Sequence, residues 1–245
     1  MSGSIGSLTA AAAALRALER GRVLLAVDFD GTIAPLVDHP DSAVPVPEAV
    51  EYLRQLAAVE HVEVAVVSGR SLADLRLRLG EVPGAILVGE HGNDIGEEVE
   101  VGDAIEEARR FVEALRAGRE IVVEHKPRSV TFHTRMLEPD AKQDAVSRLR
   151  TWAAEHPDVT ILEGKEVVEL SVADLTKGDA IVGLASEVDV VLYIGDDTTD
   201  EAVFAVLRAD DVGVKVGPGP TAARYRVDDV NDVVEVLRVL ALASS

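Results

Sequence analysis

The chain has no cysteine, a single tryptophan and only five lysines, and 3% of its 245 residues are aromatic. Without cysteine there is no disulfide, no thiolate nucleophile and no Cys-ligated zinc, although the compartment stays open. No apolar run approaches the ~18 residues that a membrane span requires. The apolar stretch from Leu8 to Leu15 has no basic residue ahead of it. Arg16, Glu19 and Arg20 follow it at helical spacing, so it reads as an amphipathic helix and not as a signal peptide. Basic side chains are outnumbered, 24 Lys and Arg against 44 Asp and Glu, for a net charge of −20 at pH 7. That balance argues against nucleic acid or an anionic membrane as a partner. It also fits a high-salt medium, where screening relieves self-repulsion. The absences leave a soluble, cytoplasmic protein as the expectation.

What is present is a rhythm. Val23 to Val27 is a continuous apolar run, as a strand buried on both faces of a parallel sheet should be. A proline-spotted loop from Pro35 to Pro47 leads to a helix over 48–59, a strand over 62–67, a helix over 71–79 ended by Gly80, and a strand over 85–88. Strand–helix–strand at this pitch predicts βαβ units. After Gly92 the pattern changes to a polar hairpin over 95–101, helices over 104–117 and 140–155, and strands over 120–124, 129–135, 159–162 and 167–170. The first rhythm returns from Lys177, with helices over 178–187, 200–207 and 230–242 and strands over 190–194 and 212–216. The expected fold is therefore α/β: a Rossmann-like parallel-sheet core formed by residues 1–95 and 173–245, with an inserted α+β cap over 96–172.

Four segments carry chemistry. Asp28-Phe29-Asp30-Gly31-Thr32 follows the first strand directly. Residues two apart in extended chain point the same way, so the two carboxylates are expected to meet at the strand's carboxyl end, where open α/β sheets place ligands. Crowded carboxylates need a cation or a proton, which suits Mg²⁺ beside a nucleophile and an acid. Gly195-Asp196-Asp197-Thr198-Thr199-Asp200 follows a later strand and adds three carboxylates. Helix capping accounts for Thr199 there but does not call for three acids. Ser68-Gly69-Arg70 at another strand end, and Lys177-Gly178 opening a helix, supply a hydroxyl, amides and an ammonium for a phosphate.

Taken together, Asp28 to Thr32, Ser68, Lys177 and Gly195 to Asp200 resemble the four motifs of haloacid-dehalogenase-like (HAD) phosphohydrolases. A narrower resemblance is to trehalose-6-phosphate phosphatases. It rests on Val88-Gly89-Glu90-His91-Gly92, on Glu124, Lys126, Ser129, His133 and Arg135, on Glu169-Leu170, and on Gly195 to Glu201. Phe29 and Asn93 depart from the residues usual in that family. The resemblance implies that Asp28 attacks phosphorus, that Asp30 serves as acid and then base, and that Ser68 and Lys177 neutralise the phosphoryl oxygens. It implies Mg²⁺ held by Asp28, the Asp30 carbonyl and Asp196, with Asp197 and Asp200 in support. Gly69, Arg70, His91, Gly92, Lys126, Ser129, His133, Arg135 and Glu169 become the residues expected to contact substrate.

The cap carries its own charge signal. From Arg119 to Arg135 four basic residues stand against two acids in a protein of −20. A solvated hairpin would look similar, and it is the resemblance that turns this stretch into a platform for a sugar phosphate. Hinges are expected near 93–96 and 172–176. Trp152, one turn beyond Leu149, reads as cap core, and His39, His61 and His156 as surface. The implied reaction is hydrolysis of trehalose 6-phosphate. The alternatives are phosphatases of sucrose, glucosylglycerol or mannosylglycerate phosphate, a phosphomannomutase, or a silent partner of a trehalose-phosphate synthase. Association with such a synthase is also open to an active enzyme. Intact Asp28 and Asp30 argue against the silent reading.

Overall fold

The computed structural model describes residues 5–94, 103–117, 121–126, 128–172 and 175–244. Its contacts divide the chain into two compact units, Met1–Ile95 with Leu175–Ser245, and Gly96–Asp174. The hairpin expected over 95–101, the hinge positions 95–96 and 173–174, and Arg119 and Glu120 of the basic stretch lie outside the described residues.

The first unit is built on a six-stranded sheet in the order β10-β9-β8-β1-β2-β3. Its strands are β1 (Val23–Val27), β2 (Val62–Val67), β3 (Ile86–Val88), β8 (Val190–Gly195), β9 (Val212–Val216) and β10 (Tyr225–Val227), and every pairing is parallel. β1 lies between β2 and β8, and its side chains alternate between two apolar layers. Leu25 and Val27 join a core with α1 (Ile5–Leu18), α2 (Pro47–Ala57) and α8 (Val230–Ala243), while Leu24 and Ala26 join one with α6 (Lys177–Leu184) and α7 (Thr198–Val206). This is why the strand reads as unbroken apolar sequence. Truncating Leu25 to Ala is expected to cost about 2–5 kcal/mol.

Local signals set the helix limits. The Ser71 hydroxyl accepts from the Asp74 amide to open α3 (Leu72–Leu79), and Gly80 ends it in the left-handed region at φ 63°. Thr176 and Asp179 form a reciprocal capping box at the start of α6. At α7 the cap is Asp197, paired reciprocally with Asp200, and Thr199 lies inside the helix. Capping was expected from Thr199, yet two of the three acids do that work. β10 was not expected: Arg224-Tyr225-Arg226-Val227 has no apolar run, and it pairs only with β9 at the sheet edge.

The second unit holds a separate antiparallel sheet in the order β4-β5-β7-β6. Its strands are β4 (Val123–His125), β5 (Ser129–His133), β6 (Thr160–Glu163) and β7 (Val167–Ser171). Ile105, Ala108, Val112 and Leu115 recur at helical spacing on α4 (Asp103–Arg116), and with Ala145, Leu149 and Ala153 of α5 (Pro139–Ala154) they bury Val130, Phe132, Val168 and Leu170. Trp152 packs on this core, stacked on Phe111 at 5.1 Å. His156 is no free surface residue, since its ring stacks on Trp152 at 3.7 Å. No described helix is long and apolar enough to cross a membrane.

Candidate active site

β1 and β8 run parallel in register, Val27 beside Ile194, so the residues that follow them emerge at the same end of the sheet. The chain leaves β1 for β2 on one side and returns to β8 on the other, a topological switch point. Asp28 stands there immediately after β1, its amide donating to the Ile194 carbonyl at 2.9 Å. Asp196 stands one residue beyond β8, and the end of β2 delivers Ser68. Gly31 has φ 78°, and a Cβ there would lie 2.3 Å from an Asp196 carboxylate oxygen. Only glycine allows this approach of the two loops.

Lys177, the first residue of α6, reaches in from the start of its helix. Its buried Nζ donates to Asp28 Oδ1 and to Asp200 Oδ1, each at 2.7 Å. An ammonium has three N–H bonds, so one is left for a ligand. Asp200 is held further by the Tyr193 hydroxyl at 2.7 Å and the Asp197 amide at 2.9 Å. The Thr32 hydroxyl lies 3.4 Å from Asp28 Oδ2. Burial pushes the Asp28 carboxyl well above the usual carboxylate range; Lys177 opposes the shift, and Asp200 and Asp196 add to it. Burial works against the Lys177 charge, but Asp200 and Asp28 outweigh it and raise the pKa. Asp200 stays below the usual range, because Lys177 and its hydrogen bonds overcome the cost of burial.

Asp28, Asp196 and Asp200 each offer a carboxylate oxygen within 4.8 Å of the others, all three buried. Hard oxygen donors and a surplus of negative charge suit a divalent cation such as Mg²⁺, which would relieve the crowding that adds to the burial-driven rise of Asp28.

Asp30 is placed otherwise than its spacing suggested. The chain bends after Phe29, and the Asp30 carboxylate lies outside the three-acid cluster. Both its oxygens accept from Arg70, Nε to Oδ2 and Nη2 to Oδ1, each at 2.7 Å. Extended-chain geometry does not survive the turn that Gly31 makes. Arg70 is itself 6% exposed and also donates to Asp74 at 2.5 Å and to the Pro40 carbonyl at 3.1 Å. Its guanidinium lies over the Phe29 ring at 5.1 Å. Burial disfavours the Arg70 charge, but Asp30 and Asp74 more than compensate and raise its pKa.

The remaining expected residues fall into two groups. In the first unit, the buried Ser68 hydroxyl accepts from the Arg70 amide at 3.2 Å and keeps its own proton to donate. The His91 ring packs over Gly69, and Gly92 lies against the Thr176 carbonyl. Glu90 and His91 are both in the left-handed region, at φ 46° and 57°, a strained pair one residue beyond β3. Asn93 is buried and joins this turn to the segment before Lys177: its amide donates to the Leu175 carbonyl at 2.7 Å and accepts from the Leu175 amide at 3.1 Å. In the second unit, Lys126 Nζ lies 2.6 Å from Glu169 Oε2, which also accepts from Thr131 at 2.8 Å. Thr131 and Glu169 face each other across β5 and β7. Ser129 opens β5, His133 ends it 3.6 Å from Glu124, and Arg135 is in the turn that follows.

Three participants were missed in the sequence. Tyr193 grips Asp200 from within β8, and Asp74 grips Arg70 from α3. Lys215 is buried in β9 and donates to the main-chain carbonyls of Asp196 and Val216. A lysine inside an otherwise apolar strand was the available signal for Lys215.

Residues 26–231 match the trehalose-phosphatase family. The chain is 36% identical to the bifunctional trehalose-6-phosphate synthase/phosphatase of Thermoproteus tenax, covering 89% of this chain and 32% of that protein. It is 34% identical to the trehalose-phosphate phosphatase of Mycobacterium leprae, covering 87% of this chain and 56% of the relative. The chain thus spans from a third to about half of the length of these two relatives. The fold matches the C-terminal domain of C. albicans trehalose-6-phosphate phosphatase with a TM-score of 0.81 over 98% of both chains, at 22% identity. A match over this much of the chain, joined to the four motifs around Asp28 and Lys177, places the protein in the trehalose-phosphatase family of HAD-like proteins.

Proposed function

We propose that the chain is a Mg²⁺-dependent phosphatase that hydrolyses trehalose 6-phosphate to trehalose and phosphate, in the cytoplasm, as the partner in sequence of a trehalose-phosphate synthase. The observation that carries this is the Lys177–Asp28 pair at 2.7 Å, set among Asp196 and Asp200 at the sheet's switch point in a chain of this family.

Asp28, the Asp30 main-chain carbonyl and Asp196 would hold the cation, with Asp200 and Asp197 fixing the loop behind them. When bound, the ion neutralises the carboxylates and the phosphoryl oxygens that face them. The rest falls to the side chains. Asp28 forms an O–P bond as the bond from phosphorus to the sugar oxygen breaks, and Asp30 gives that oxygen its proton. Asp30 then takes a proton from a water whose oxygen attacks phosphorus, and the Asp28–phosphorus bond breaks. The third N–H of Lys177 and the Ser68 proton donate to the equatorial oxygens. Lys126, Ser129, His133, Arg135 and Glu169 of the second unit are the residues assigned to the sugar, and Gly69, His91 and Gly92 to the phosphate side.

Phosphate release from trehalose 6-phosphate, measured beside sucrose, glucosylglycerol and mannosylglycerate phosphates, tests the reading. A preference for the trehalose ester is expected. An equal or better rate on another ester would shift the substrate within the class, and no release from any ester would end the phosphatase reading.

A further inference from the structure

Arg70 was expected to contact substrate, but its guanidinium is buried and four of its five N–H donors are engaged within the first unit. Two go to Asp30, one to Asp74 and one to the Pro40 carbonyl. Asp74 in turn accepts from Arg78, four residues further along α3, at 2.8 Å. Arg78 donates to the carbonyls of Asp41 and Ala43 at 3.1 and 2.9 Å. An Arg70–Asp74–Arg78 ladder, its last two members on α3, therefore ties down the loop after β1 and ends on the Asp30 carboxylate.

The contrast within the pair is informative. Arg70 has a 7% exposed side chain fixed by three partners besides Asp30, including the Phe29 ring face, whereas the Asp30 side chain is 34% exposed. A half-open aspartate without such a grip samples several rotamers. A two-point fork fixes its carboxylate plane as well as its position, and it leaves the outer lone pairs of both oxygens available.

We propose that Arg70 is a positioning residue for the acid–base step: braced by Asp74, the Pro40 carbonyl and Phe29, it holds the Asp30 carboxylate in the orientation from which protons are exchanged with the sugar oxygen and with water. The inference rests on the phosphatase reading and on the role of Asp30 within it. It distinguishes Arg70 from a residue that grips the phosphate, because its effect must pass through Asp30.

Leaving groups separate these roles. A sugar oxygen needs a proton in order to leave, whereas 4-nitrophenolate does not, so Asp30 matters to the first step for one substrate and little for the other. Single-turnover release of sugar from trehalose 6-phosphate is compared with the first-turnover burst of 4-nitrophenol from its phosphate ester. With Arg70→Met the sugar step is expected to slow by about 30- to 100-fold, the scale on which a misplaced acid acts. The nitrophenol burst is expected to stay within about threefold of its original rate. Arg70→Lys, which keeps the charge but not the fork, should recover little of the loss. In an Asp30→Asn background, Arg70→Met should add no further slowing, as for two residues acting as one unit.

Should Arg70→Met fail to fold, Asp74→Asn loosens the brace and is expected to slow the sugar step alone, by about threefold. Equal slowing of both first steps, full recovery with lysine, or additive losses with Asp30→Asn would each overturn the proposal. Failure of the unaltered protein to release either product would instead overturn the phosphatase reading.

Discussion

Lys126 and Lys177, buried in different units, show how differently the same residue type is used. Lys126 lies 2.6 Å from Glu169, and Thr131 donates to the same carboxylate oxygen across the antiparallel sheet. Lys177 bonds Asp28 and Asp200 equally at 2.7 Å, and Asp196 completes a group of three acids. Burial pushes the Asp28 carboxyl well above the usual carboxylate range, and the neighbouring Asp200 and Asp196 add to the rise. One lysine faces a single carboxylate, and the other stands among three. Three buried carboxylates gathered around one ammonium are costly to keep, and the arrangement gains a rationale where a cation and a phosphoryl group are to be bound.

The contrast can be broken in several ways. The largest effect is expected from Lys177→Met, which strips Asp28 and Asp200 of their cation. Turnover should fall by about 10³-fold, and stability by about 3–5 kcal/mol, as when one member of a buried pair is removed. Lys126→Met should instead raise KM for the sugar phosphate by about tenfold with kcat little changed, since the loss is one of binding. Steady-state kinetics and denaturant melts on both variants check this, and a fall in kcat with Lys126→Met would erase the distinction.

Next in size is the response to a divalent cation. Saturating Mg²⁺ at about 100 times its Kd contributes about 2.7 kcal/mol, or roughly 5–10 °C in Tm for a chain of this length. Chelation should remove both the shift and the activity. Asp196→Asn should abolish the shift, whereas Glu169→Gln should leave it intact, which differential scanning calorimetry would resolve.

The smallest effect concerns acid. Burial pushes the Asp74 and Asp211 carboxyls up, but hydrogen bonds and charges from Arg78 and Arg70, and from Arg208, outweigh it and hold both below the usual range. Their folded-state pKa values are thus depressed, so their stabilisation is complete above the unfolded value of about 3.9 and is lost as pH falls through the lower folded values. Asp74→Asn and Asp211→Asn should each flatten the fall in stability below about pH 4, seen as a weaker pH dependence of the melting temperature.

Much of the fold was legible because it rests on strands buried on both faces. β1 coincides with an unbroken apolar run, and β2 and β9 with valine-rich runs interrupted by one charged residue each, Glu63 and Lys215; the limits of all three match the structure. β10 was not legible, because three residues at a sheet edge, two of them half-buried, carry no periodic signal. At the site, residues placed directly after strands were legible, since a strand end fixes their location whatever the turn does next. Asp30 lies past that point. Its carboxylate direction depends on the turn at Gly31 and on Arg70, 40 residues away in sequence, which no local pattern reveals. The same holds for Tyr193, which counts as one more apolar residue of β8 until its hydroxyl is found on Asp200. Capping also hides function: Asp197 and Asp200 form an ordinary helix start, and Asp200 holds Lys177 as well.

The central claim is that Asp28 carries the phosphoryl group. The most direct measurement is acid quenching within the first turnover on trehalose 6-phosphate, followed by mass analysis of the peptide containing Asp28. The account predicts that this peptide transiently gains one phosphoryl group, and that Asp28→Asn shows neither the gain nor turnover. Turnover that proceeds with no phosphoryl group on Asp28, or that survives in Asp28→Asn, would contradict it.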